Sequence, residues 1–97
     1  MREKFKKYIL RNGTTISVNG SDNKVLLRLA NTSEIRNYLD DIEVMAVIKP
    51  CYQITLTYDS TISENSNFTL NGRNYIIRKI TPIYFRNEII FKCGVCY

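Results

Sequence analysis

The stretch FTLNGRNYIIRKI, Phe68 to Ile80, decides how the chain folds. Asn71-Gly72 at its centre is the strongest two-residue hairpin signal, because both central positions of a type I′ turn need positive φ. A two-residue loop there fixes the register. Leu70 then faces Arg73, and Phe68 faces Tyr75, which sets an aromatic pair across the two strands. Further along, simple alternation puts Tyr75 and Ile77 on one side and Ile76 and Ile80 on the other. A strand apolar on both sides is expected to be buried on both, in a barrel, a sandwich or an interface between copies. Pro82 is expected to limit it.

The same period continues on either side of the hairpin. IYF and EIIFKCGVCY form a final pair turning near Arg86-Asn87. Upstream, YQITLTY alternates, with Tyr52, Ile54, Leu56 and Tyr58 on one face and Gln53, Thr55 and Thr57 on the other. The polar run DSTISENSN, Asp59 to Asn67, reads as an exposed loop. VMAVI, Val44 to Ile48, is a further strand. Nearer the start, TTISV (Thr14 to Val18) and KVLLRLA (Lys24 to Ala30) flank the turn cluster Asn19 to Asn23, a hairpin with a loop of about five residues.

Two segments have the helical period instead. Ile35, Tyr38, Leu39 and Ile42 recur at helical spacing behind the capping residues Asn31, Thr32 and Ser33, predicting a central helix over Thr32 to Asp41. In MREKFKKYILR, Phe5, Tyr8 and Ile9 share one face, a stripe suited to docking on the sheet. The expectation is one mainly β domain over residues 1–97: a small β-barrel or sandwich of about seven strands, a short N-terminal helix and one central helix.

Composition narrows the chemistry. The chain has no His, so no imidazole base and no imidazole metal ligand. The CGVC run, Cys93 to Cys96, resembles a redox motif, but on an extended strand positions i and i+3 point to opposite faces. Cys51, Cys93 and Cys96 fall one thiolate short of a tetrahedral zinc set and read as small core residues. The acids Asp40, Asp41 and Glu43 read as a solvated helix end, and the four Gly are scattered among turns and the CGVC run rather than gathered in a phosphate loop. No catalytic residue, metal or cofactor is expected.

Net charge is +5, and the N-terminal helix holds much of the excess, with Arg2, Lys4, Lys6, Lys7 and Arg11 set against Glu3 alone. These five are the candidate contacts to DNA or to an acidic partner. Aromatic residues interleaved with cations at Tyr75, Arg78, Lys79, Tyr84, Phe85 and Arg86 keep open an OB-like module that stacks single-stranded nucleic acid. No run reaches the ~18 apolar residues of a membrane span, and no apolar stretch follows the first charges, so a cytoplasmic protein without membrane contact is expected.

The second half, from about Tyr52 to Tyr97, resembles the head–tail joining proteins of tailed bacteriophages and prophages, the head-closure or stopper type. The likeness is carried by Phe68, Leu70, Asn71, Gly72, Arg73, Tyr75, Ile77 and Ile80, in a hairpin of the form G-R-x-Y-x-I. It implies a small β-barrel without an active site, a monomer when isolated, that assembles into a ring in the virion neck. Its partners would be a portal or adaptor protein and a tail-terminator protein, with non-specific contact to packaged DNA. Its place would be the bacterial host cytoplasm during assembly and the neck afterwards.

Overall fold

In a computed structural model, which describes residues 1–30 and 51–97, six antiparallel strands follow one helix. Helix α1 spans Arg2–Asn12, and the strands are β1 Thr14–Val18, β2 Ser21–Leu29, β3 Tyr52–Thr57, β4 Asn67–Leu70, β5 Arg73–Phe85 and β6 Glu88–Cys96. They form a single sheet in the order β1-β2-β3-β6-β5-β4, whose two edges curl round to meet. The result is a nearly closed, barrel-like sheet with one short helix on its outside. The expected central helix and the Val44–Ile48 strand lie outside the described residues. Ala30 and Cys51, on either side of that gap, are joined by a backbone hydrogen bond of 2.9 Å.

Three two-residue turns set the registers. Asn71 (φ 53°) and Gly72 (φ 78°) join β4 to β5, with Leu70 opposite Arg73 and Phe68 opposite Tyr75. The rings of that second pair stack at 5.7 Å. Arg86 (φ 51°) and Asn87 (φ 65°) join β5 to β6. The first hairpin corrects the expectation of a five-residue loop. Asn19 (φ 54°) and Gly20 (φ 80°) alone make the turn, Val18 pairs with Ser21, and the polar residues Ser21 to Asn23 already belong to β2. An Asn-Gly pair outweighs the polarity around it, since Ser21 and Asp22 are exposed to solvent and cost little there.

Strand β5 departs from simple alternation. Ile77 pairs with Cys96 but Lys79 pairs with Val95, so Arg78 is an extra residue, a β-bulge. The bulge resets the phase, and Ile80, expected opposite Tyr75 and Ile77, packs with them against the core. Arg78 instead lays its guanidinium over the Tyr97 ring at 4.8 Å. The two-sided apolar pattern thus records a shift of phase along one strand. Nor does Pro82 end the strand. It pairs with Lys92 inside β5, where β4 has already stopped at the level of Ile76 and no ladder is needed on that side. Nearby, Glu64 accepts a hydrogen bond from the Ile80 amide (2.8 Å), which occupies a backbone donor of β5 beyond the end of β4.

The core is drawn from every strand: Ile16, Val18, Val25, Ile54, Leu56, Phe68, Tyr75, Ile77 and Cys96. The loop before β4 is less exposed than its polarity suggests. Ile62 enters the core, Ser66 is buried, and the loop backbone pairs with Ile77 through Asn65 and Ser66 (2.7 and 2.8 Å).

Candidate contact surface

Helix α1 begins with an acid, Glu3, and ends with a cation, Arg11, both favourable to its dipole. Ile9, 1% exposed, is its anchor, and Phe5 meets Phe91 of β6 with ring centroids 4.9 Å apart. The expected docking stripe of Phe5, Tyr8 and Ile9 is therefore only partly used: Tyr8 stands 58% exposed.

The reason lies in residues some fifty positions away. Tyr58 and Asp59, just past β3, hold the helix by its polar side. Lys6 Nζ binds Asp59 Oδ2 at 2.6 Å, the Tyr58 hydroxyl donates to Glu3, and the Arg2 guanidinium sits 4.4 Å from the Tyr58 ring centre. These contacts shift the ionisations in matching directions. The hydrogen bond to Asp59 raises the Lys6 pKa, bonds from Lys6 and Thr57 lower that of Asp59, and the bond to Glu3 raises that of Tyr58.

The five cations of the helix thus divide into two sets. Arg2 and Lys6 are engaged in holding α1 to the barrel. Lys4, Lys7 and Arg11 are exposed, and among the described residues they form no ion pair. With Tyr8 they occupy positions i, i+3, i+4 and i+7, one face of the helix, directed away from Ile9. At the N-terminal end of the helix lies a shallow hollow of about 360 Å³ lined by Met1, Phe85, Arg86, Glu88 and Ile90. The tip of the β5–β6 hairpin forms its wall. Among the described residues no third strand pairs with that tip beyond the Thr57–Phe91 pair, and Tyr84 and Phe85 are 61% and 42% exposed.

The residues that carry the family likeness are placed differently. Phe68, Tyr75 and Ile77 are buried, Leu70 and Ile80 pack partly against them, and Asn71, Gly72 and Arg73 are exposed at the turn. They build the barrel and do not converge on a site.

The cysteines are interior. Cys96 faces the core, and burial, with Cys51 nearby, pushes its pKa up to about 12, so the thiol stays protonated at neutral pH. Cys93 lies on the opposite face, its sulfur 4.0 Å from the Thr55 hydroxyl. Among the described residues no three His, Cys, Asp or Glu side chains are grouped to hold a metal. No helix there is long and apolar enough to cross a membrane. Compared with family models, curated proteins and solved structures, the chain matches none.

Proposed function

We propose that the protein is a non-enzymatic assembly module, a neck component of a phage or prophage that forms a ring joining the head to the tail and helping to retain packaged DNA. The observation that carries this reading is the hairpin tip. Tyr84 and Phe85 are 61% and 42% exposed at the end of the β5–β6 hairpin, where Phe85 shares a hollow with the exposed Met1. Exposed apolar groups clustered on a small basic domain favour contact with another protein. The Phe68–Ile80 pattern, which resembles the head-closure proteins, supplies the kind of assembly. Portal or adaptor and tail-terminator proteins would be the neighbours, and the isolated chain a monomer of 11.3 kDa.

The test is genetic and then physical. Genes for a large portal and capsid on one side and for tail proteins on the other are expected to flank this one. In that background, Tyr84→Ala with Phe85→Ala should leave folding intact and yield heads without tails. Neighbours unrelated to any virion, or normal particles from the double variant, would overturn the reading.

A further inference from the structure

We infer that the outward face of α1 binds single-stranded nucleic acid, with Lys4, Lys7 and Arg11 on the phosphates and a base stacked on Tyr8. This inference stands apart from the neck proposal, since neither the ring nor the hairpin tip enters it.

The first support is electrostatic. Asp59 is bound to Lys6, and among the described residues Lys4, Lys7 and Arg11 form no ion pair, with Glu3 the single acid of the helix against its five cations. The chain carries +5 overall, and a second copy brought to this face would be repelled. A polyanion is the complementary partner. The second support is geometric. Lys4 to Arg11 spans about 10 Å along the axis at about 1.5 Å per residue, the reach of a few nucleotides. Tyr8 stands among the cations, its ring 58% exposed and free to take the face of a base.

A membrane surface fits less well. A helix lying in a bilayer needs a continuous apolar face with cations at its margins. Here the cations form the crest opposite the buried Ile9, and the exposed apolar residues Phe5 and Leu10 fall on opposite flanks of it, so they make no continuous apolar face. Duplex DNA would use the crest but leave the tyrosine idle.

The experiment is a fluorescence-anisotropy titration of the full chain with a labelled oligothymidylate of about 15 nucleotides, starting near 50 mM salt. Three phosphate contacts at about 0.7 each predict a log–log salt slope of about −2. Lys7→Gln with Arg11→Gln should reduce the slope to about −0.7. Tyr8→Ala should weaken binding about tenfold at constant salt. All these side chains are exposed, so each variant should stay folded, with only a small fall in melting temperature where Arg11 leaves the C-terminal end of the helix dipole.

Absence of binding, or binding indifferent to all three substitutions, would overturn the inference. Equal affinity for a duplex of the same length, with Tyr8→Ala neutral, would reject the stacked base and leave plain attraction to phosphate. Binding to vesicles of anionic lipid but not to the oligonucleotide would assign the face to a membrane.

Discussion

The Asn71-Gly72 turn and the β5–β6 crossing at Gly94 both depend on glycine, for opposite reasons. Gly72 has φ +78° and open space around it: a Cβ there would meet no atom within 4 Å. Its requirement is conformational. Gly94 needs no unusual backbone, but a Cβ on it would run into the carbonyl oxygen of Lys79 and approach Ile54 Cγ2 at 3.3 Å. Its requirement is space, set by a neighbouring strand. A turn glycine answers to its own dihedrals, whereas a crossing glycine answers to a bulge sixteen residues away.

The largest effect is therefore expected at Gly94. Gly94→Ala places a methyl group against backbone, which cannot rotate aside as a side chain would. The strands must part or the Arg78 bulge must move, at a cost of about 2–3 kcal/mol or more. Chemical denaturation reads this directly. A loss under about 1 kcal/mol would mean that the crossing is soft and that the contrast with Gly72 is false.

Gly72→Val should cost somewhat less, more than about 1 kcal/mol, because the strain is confined to one residue at positive φ. The sharper test is asparagine, which tolerates the left-handed region. Gly72→Asn should recover most of the loss, and Gly94→Asn should recover none of its own. Equal losses for the two asparagine variants would break the comparison.

The same contrast explains what the sequence could disclose. Turn chemistry is local, so the Asn71-Gly72 hairpin and its register are legible in the letters themselves. Asn19-Gly20 carried the same signal but was hidden among the polar residues Ser21 to Asn23, which read as loop. The Arg78 bulge was not legible. An extra residue in a strand changes the phase without changing the composition, so Ile76 and Ile80 looked like a second apolar face. The candidate surface divides in the same way. The basic run of α1 is plain in the sequence, but which cations are spare depends on Tyr58 and Asp59, more than fifty positions along. No local period encodes that. Ile62 was lost for a related reason: one apolar residue in a polar run has no pattern to reveal it.

Arg86-Asn87 extends the comparison to a turn that is conformationally demanding but not optimised. Arg86 holds φ 51° with a side chain that disfavours it, and its guanidinium rests over the Phe85 ring at 5.3 Å. Replacing the pair by Asn-Gly should stabilise the domain by about 0.5–1 kcal/mol, read as a rise in the denaturation midpoint. A loss of stability would mean that the Arg86–Phe85 contact outweighs the strain.

The smallest effect concerns how α1 is held, and it sets the polar anchor against the apolar one at Ile9. Asp59 has its pKa lowered in the folded state, so its contribution is present above the unfolded value near 3.8 and is lost as pH falls through the lower folded value. Lys6 and Tyr58 have raised pKa values. Their contributions are complete below the unfolded values near 10.5 and 10.0 and fade as pH rises through the folded ones. The polar anchor should thus be complete between these limits and weaken at both, while the burial of Ile9 is indifferent to pH. Both charges of the Lys6–Asp59 pair are partly solvated, so the change should be small and should shrink with added salt. Asp59→Asn should flatten the acid limb of the melting temperature and take the Lys6 part out of the alkaline limb, leaving the part due to Tyr58 and Glu3. An unchanged acid limb would transfer the holding of α1 from the Asp59 contact to the apolar contacts of Ile9 and Phe5.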